Sequence, residues 1–201
     1  MSSRRLVLAS ASPARLRLLR GAGFDPEVVV SGVDEDAVNE PDPRRLVELL
    51  ATRKAQAVAG TPAAGGALVV GCDSMLVLGS ETLGKPADAA EARARWRAMR
   101  GRSGVLATGH CVVDTLDGRS VSAVAETTVR FGTPTDDEIA AYAETPEATQ
   151  VAGAFTIDGF AAPFVDGVDG DPGNIIGLSL PLLRRLLADL GVPITDLWRD
   201  R

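Results

Sequence analysis

The stretch Leu6-Val7-Leu8-Ala9-Ser10-Ala11-Ser12-Pro13-Ala14-Arg15 constrains the fold more than any other part of this 201-residue chain. A short apolar run ends in two serines spaced i, i+2. A proline, an arginine and a leucine-rich periodic segment follow. That order predicts strand, tight loop and helix, with Ser12 as the N-cap and Pro13 as the first helical residue. Such a junction aims free backbone N–H groups and the positive end of a helix dipole at one spot. Two hydroxyls and a guanidinium join them there, and the set makes a phosphate seat.

Helix and strand signals alternate along the rest of the chain, which points to an α/β fold. Leu16, Leu18, Leu19 and Ala22 suit a first helix ending at Gly23. Residues 27–30 read as a strand. Asp42-Pro43 opens a second helix with Leu46, Leu49, Leu50 and Ala57 on one side and Lys54 along its length. Residues 67–71 read as a short apolar strand with Cys72-Asp73-Ser74 at its C-terminal end. Residues 75–78 and 81–83 resemble a small hairpin around Gly79-Ser80. Asp88 with Glu91, and Thr135 with Glu138, are helix-capping patterns. Residues 105–113 and 121–131 make a long antiparallel pair around Asp117-Gly118. The segment 151–176 is glycine-rich with short apolar runs, and a leucine-rich last helix stops at Gly191. The long central hairpin makes the expected sheet mixed and twisted, with flanking helices. The expected architecture is one domain, residues 1–201, with two lobes around a cleft.

Composition removes several function classes. Hydrophobic residues are 45% and charged residues 24%, as in a globular soluble protein. The apolar runs are far short of a membrane span, and no apolar leader or cleavage site follows the N-terminal arginines, so nothing suggests secretion. The net charge of −6 argues against broad binding to a nucleic-acid backbone, though not against a small anionic substrate. Cys72 and Cys111 read as buried thiols, with no zinc spacing. His110 is the only histidine, which excludes a multi-histidine metal centre and any Ser-His-Asp triad not using His110 itself.

The candidate chemistry lies elsewhere. Gly79-Ser80-Glu81-Thr82-Leu83-Gly84-Lys85 fits the first seven positions of a P-loop. The eighth, which should offer a hydroxyl to Mg²⁺, is Pro86. A hairpin followed by a lysine that can face a phosphate is the better reading. Asp73 is either an Asx-turn cap or a carboxylate at an α/β ligand crevice, able to deprotonate a water or help hold a metal. Glu35, within Asp34-Glu35-Asp36, is either part of a solvated loop or a donor to a hard cation. Lys54 is by default a surface residue, Asp171-Pro172-Gly173-Asn174 a turn, and Asp158-Gly159 a hairpin turn or part of a pocket lining. Trp96, Trp198 and Tyr142 read as packing residues. Taken together, hydroxyl, guanidinium and ammonium groups for a polyphosphate and carboxylates for metal and water suit metal-assisted phosphoanhydride hydrolysis.

The series Ser10-Ala11-Ser12-Pro13-Ala14-Arg15, Gly32-Val33-Asp34-Glu35, Arg53-Lys54-Ala55, Gly71-Cys72-Asp73-Ser74, Gly84-Lys85-Pro86, Ala152-Gly153-Ala154-Phe155 and Ile176-Gly177-Leu178 resembles the Maf family in content and order. The resemblance implies a nucleoside triphosphate pyrophosphatase that cleaves between the α and β phosphates. It implies a single Maf-like domain with a fold similar to inosine triphosphate pyrophosphatases, a divalent cation (Mg²⁺ or Mn²⁺), a cytoplasmic location and, in many members, a homodimer. By motif position, Asp73 matches the proton acceptor, and Glu35, Lys54 and Lys85 match the catalytic cluster. Glu35 and Asp73 are the metal candidates. Ser10, Ser12 and Arg15 match the phosphate loop. Asp158 stands where one branch, preferring dTTP and UTP, has a glutamine near the base. The Gly170-to-Asn174 turn leans toward a second branch acting on 7-methyl-GTP and some pyrimidine triphosphates, which has an acid at the Asp158 position. An ionised Asp158 only accepts hydrogen bonds, so it favours a base edge that offers donors. Ala14 replaces a frequent arginine. Two competing classes are a partner-binding regulator of septum formation, which the family's name suggests, and a P-loop NTPase, which Pro86 disfavours.

Overall fold

The computed structural model describes residues 4–35 and 37–199, so Asp36 of the acidic run lies outside the described residues. In chain order the elements are β1 (Leu6–Leu8), α1 (Pro13–Gly21), β2 (Glu27–Val28), α2 (Pro43–Ala59), β3 (Leu68–Leu78), β4 (Glu81–Leu83) and α3 (Ala89–Met99). There follow β5 (Ser103–Asp114), β6 (Ser120–Phe131), α4 (Asp136–Ala143), β7 (Val165–Asp169), α5 (Pro172–Ile176) and α6 (Leu180–Asp189), with short 3-10 turns between some of them. The strands form one sheet in the order β2-β1-β3-β5-β6-β7, with β4 paired to β3. β1 runs parallel to β2 and β3, whereas β3–β4 and β6–β7 are antiparallel. The mixed α/β expectation therefore holds.

Contacts divide the chain into two compact units. The first takes the chain up to Asp73, Thr108–Ala125 and the segment from Gly177 onward. Its strands alternate in the two-residue period of a β-sheet buried on both faces. On one face Leu6, Leu8, Leu68, Val70 and Cys72 pack with Leu19 of α1 and the leucine stripe of α6. On the other, Val7, Ala9 and Val69 meet Ala51, Ala55 and Val58 of α2.

Two glycines seat α2 on the sheet. A Cβ on Gly71 of β3 would lie 2.3 Å from the Ala51 carbonyl oxygen, and one on Gly109 of β5 would lie 2.1 Å from that of Val47. Only residues without side chains allow this approach. It accounts for two departures from the sequence reading. Gly71 does not end a strand, because its role is close approach, and β3 continues unbroken through Asp73 to Leu78. The buried side of α2 is Val47, Leu50, Ala51, Lys54, Ala55 and Val58, while Leu49 and Ala57 are exposed. A close helix–sheet contact selects alanines, so the largest apolar side chains do not mark it.

The second unit comprises Ser74–Ala107 and Glu126–Ile176. At its centre the ring of Trp96 meets Phe131, Tyr142 and Phe164 edge to face, and its Nε1–H donates to the Ala154 carbonyl at 2.8 Å. The P-loop-like segment is a hairpin, with Leu78 opposite Glu81 and Leu76 opposite Leu83. Its backbone groups are committed to a strand rather than to a phosphate cradle. Among the described residues, no helix is long and apolar enough to cross a membrane.

Candidate active site

The strand–loop–helix junction forms as its sequence predicts. Ser12 is extended and its Oγ accepts from the Arg15 backbone N–H at 3.4 Å, with Pro13 in the first turn of α1. Ser10 is buried, and its Oγ accepts from the Ser12 backbone N–H at 3.2 Å and from Arg15 Nη1 at 3.0 Å. A hydroxyl oxygen has two lone pairs, so accepting these two bonds leaves the Ser10 hydrogen free to donate. The Arg15 guanidinium is fixed at a second point, where Nε donates to the Gly177 carbonyl at 2.7 Å. Gly177 has φ +119°, and a Cβ there would stand 3.1 Å from Arg15 Nε. Both facts require glycine.

A second cluster grows out of the α2 seat. β3 presents Val69, Gly71 and Asp73 to the α2 side by its two-residue alternation. Ala51 of α2 abuts Gly71, and Lys54 follows Ala51 by one helical turn. Lys54 Nζ thereby reaches Asp73 Oδ1 at 2.6 Å and Glu35 Oε1 at 2.7 Å. Lys54 is 7% exposed and Asp73 5%, whereas the Glu35 side chain is half exposed. The default surface reading of Lys54 is thus overturned, because its ammonium is paired inside the fold. Burial pushes the Asp73 carboxyl above its ordinary value, against the pull of Lys54 and, more weakly, of Arg15. Asp73 Oδ2 is buried and has no hydrogen-bond partner among the described residues. An unsatisfied buried carboxylate oxygen is costly and marks a place where a ligand or water belongs. Cys72, on the opposite face of β3, is fully buried and its thiol is pushed up to about 11, so it is no nucleophile at neutral pH.

Glu35 and Asp73 fit a hard divalent cation. Glu35 Oε1 from a loop and Asp73 Oδ1 from a strand meet at one ammonium, and the second oxygen of Asp73, Oδ2, is left unsatisfied among the described residues. Among the described residues, no group of three or more His, Cys, Asp or Glu could hold a metal alone. Two carboxylates, with waters and substrate phosphates completing the shell, are the usual Mg²⁺ arrangement.

The remaining candidates, Lys85 and Asp158, belong to the second unit. Lys85 is exposed and stands two residues beyond the end of β4. Asp158 is exposed, and its Oδ1 accepts from Thr156 Oγ1 at 2.6 Å. Its loop is not a hairpin turn but is pinned by a residue that sequence reasoning missed. Glu147 accepts the backbone N–H groups of Phe160 and Ala161 at 2.9 and 3.1 Å, filling the space a Cβ on Gly159 would need. Asp171 caps the start of α5 by accepting the Gly173 N–H at 2.9 Å, and buried Asn174 ties that turn to the Leu106 carbonyl at 3.0 Å. The motifs around Gly71 and Gly177 were legible as motifs, though not their packing roles. Nothing local in the sequence marks Glu147.

The sequence matches the family model described as Maf-like protein over residues 5–190. The nucleoside triphosphate pyrophosphatase of Streptomyces coelicolor is 68% identical over 195 residues, covering 97% of this chain and 95% of that protein. Those of Streptomyces avermitilis and Salinispora tropica are 63% and 57% identical, covering 98% and 96% of this chain and 96% and 87% of theirs. A solved nucleoside-triphosphatase (dITP/XTP pyrophosphatase) from Mycobacterium abscessus aligns over 63% of this chain and 72% of its own. Its TM-score is 0.39 and its identity 15%.

Proposed function

The chain belongs to the Maf-like family, and on that premise we propose that it hydrolyses nucleoside triphosphates to the monophosphate and pyrophosphate, with Asp73 as the general base. The observation that carries the assignment is Asp73 Oδ2, a buried, unpartnered carboxylate oxygen on a group whose other oxygen is fixed by Lys54. A water on Oδ2 gives its proton to the carboxylate as its oxygen bonds to the α phosphorus. The bond to the bridging oxygen breaks, and pyrophosphate leaves. Burial, by raising the proton affinity of Asp73, makes it a stronger base than an exposed carboxylate.

The other residues take roles that follow from their chemistry. The Ser10 hydroxyl and the Ala14 N–H at the positive end of α1 bind phosphate oxygens, with Ser12 shaping the turn and Arg15 supplying charge. Lys54 holds Asp73 in place and balances its charge. Glu35 and Asp73 would hold a divalent cation, Mg²⁺ or Mn²⁺, which when bound would supply charge neutralisation at the phosphoryl oxygens. Lys85 as partner of the departing pyrophosphate, and Asp158 as acceptor for base-edge donors, rest on their place in the family's motif order. The substrate is a free nucleotide rather than a nucleic acid, in keeping with the acidic net charge.

The test is product analysis on a panel of dTTP, UTP, CTP and 7-methyl-GTP with Mg²⁺ or Mn²⁺. Monophosphate and pyrophosphate are expected, and stepwise orthophosphate release through the diphosphate would refute the reading. Asp73→Asn should lower kcat by about 10²–10⁴-fold, the usual worth of a general base, with little change in nucleotide binding. A near-normal kcat in that variant would remove Asp73 from the role.

A further inference from the structure

His110 is wholly buried in the first unit, and the reaction described above does not use it. Its Nε2 lies 2.8 Å from the Ser179 backbone N, which donates, so Nε2 is an acceptor. Its Nδ1 lies 3.0 Å from the Thr108 carbonyl oxygen, which can only accept, so Nδ1 carries the hydrogen. The two bonds specify one tautomer of the neutral ring. They also fasten β5 to the turn that opens α6. Ser179 is the buried N-cap of α6, with its Oγ accepting from the Leu182 N–H at 3.2 Å. Two residues before it stands Gly177, whose carbonyl accepts from Arg15 Nε and whose φ of +119° only glycine adopts readily. Arg15 in turn donates through Nη1 to Ser10 Oγ.

We propose that His110 is a positioning residue for phosphate binding. It acts through the chain Ser179 N–H, the Gly177 carbonyl, the Arg15 guanidinium and the Ser10 hydroxyl, and it must be neutral to do so. An imidazolium has no acceptor nitrogen and would leave the Ser179 N–H unpaired inside the core. The arrangement gives one guanidinium a fixed pose, where Ala14 supplies no second one. The inference rests on the pyrophosphatase reading for its assay.

The test compares His110→Phe, which keeps a flat ring and removes both nitrogens, with His110→Gln, which returns an acceptor near the position of Nε2. The phenylalanine variant should raise KM for the triphosphate by about ten- to hundred-fold, the worth of one hydrogen bond to a charged group. The inhibition constant of pyrophosphate should rise in parallel, kcat should change little, and the glutamine variant should recover most of the loss. In an Arg15→Ala background His110→Phe should add little more, because both act on one unit. An unchanged KM in a folded His110→Phe protein, or effects that multiply with those of Arg15→Ala, would overturn the proposal. So would imidazole ¹⁵N spectra of the untagged wild-type protein, whose only histidine gives unambiguous signals, if they show an Nε2–H tautomer or an imidazolium at neutral pH. Failure of the wild type to release pyrophosphate would instead count against the pyrophosphatase reading itself.

Discussion

Replacing Lys54 by methionine removes an ammonium while keeping most of the side-chain volume, and the structure sets both the sign and the ceiling of the effect. Asp73 is left buried without the cation that lies 2.6 Å from its Oδ1. In the wild type its carboxyl already titrates above the ordinary value of 3.8, burial outweighing the opposite pull of Lys54. A carboxyl with a raised folded pKa binds a proton more tightly folded than unfolded. Stability is therefore lost as pH rises from the unfolded pKa to the folded one, and is level above it. Without Lys54 both of its lowering influences vanish, the folded pKa climbs, and the window widens upward. The penalty accrues at about 1.4 kcal/mol per pH unit from near pH 4. It is thus at most about 1–2 kcal/mol at pH 5 and about 4 kcal/mol at pH 7, because the group takes up a proton rather than exceed that cost. The higher figure agrees with the ~3–5 kcal/mol typical of breaking a buried ion pair. Urea unfolding of wild type and Lys54→Met across this range should show a deficit that grows with pH. Adding Asp73→Asn should flatten it, since the amide carries no charge to strand. Where Lys54→Met retains activity, the acid limb of its kcat/KM profile should move to higher pH. A deficit independent of pH, or one that Asp73→Asn leaves untouched, would refute the reasoning.

Two further perturbations follow from the same geometry. Gly71→Ala places a Cβ 2.3 Å from the Ala51 carbonyl oxygen, so α2 must retreat by about 1 Å, which costs ~1–3 kcal/mol of stability by overpacking. Lys54 moves with the helix, and pyrophosphate release should fall by up to about 10²-fold. Gly109→Ala crowds the same helix at Val47, two turns from Lys54, and should match it in urea unfolding while sparing more activity. Equal activity losses would detach Lys54 positioning from the Gly71 contact. Glu35→Gln should raise the Mg²⁺ concentration needed for half-maximal rate, since an amide is the weaker ligand for a hard cation, and an unchanged Mg²⁺ titration would remove Glu35 from the metal site.

Local signals in this sequence were legible where they were strong and self-contained. The Ser12 cap with Pro13, the Thr135–Glu138 capping box and the Gly79-Ser80 hairpin turn all stand where their residues imply. Each is decided within four or five residues, so no distant partner can overrule it. The reading failed where a distant partner decides. Gly71 looked like a strand end because its glycine serves a helix sixteen residues upstream and more. The alanine side of α2 was passed over for its leucine side for the same reason. In the candidate site, Ser10, Ser12, Arg15, Glu35, Lys54 and Asp73 were all named from the sequence. The links that organise them were not: a lysine buried between two carboxylates, a glycine carbonyl holding an arginine 162 residues away, and a histidine bracing that glycine's turn. Those are tertiary hydrogen bonds, and neither periodicity nor spacing encodes them.

Lysine usage gives an independent reason to weight two of these positions. Of the 21 basic residues only Lys54 and Lys85 are lysines. Arginine serves the ion pairs Arg4–Asp114, Arg5–Glu27, Arg119–Asp117 and Arg199–Asp25. A chain that otherwise uses arginine for charge has departed from its own habit twice. At Lys54 the physical cause is visible. Lys54 bonds both carboxylates, at 2.6 and 2.7 Å, through the single nitrogen of one ammonium, whose donors diverge, whereas a guanidinium presents its donors in one planar fork. At Lys85 the side chain is exposed, so packing imposes no such limit on size. A small, mobile ammonium suits a phosphate that must be held and then released, whereas the bidentate fork of arginine holds it in one fixed geometry. That difference favours lysine in contact with a departing pyrophosphate, and it supports the assignment of Lys85 on grounds other than its place in a motif.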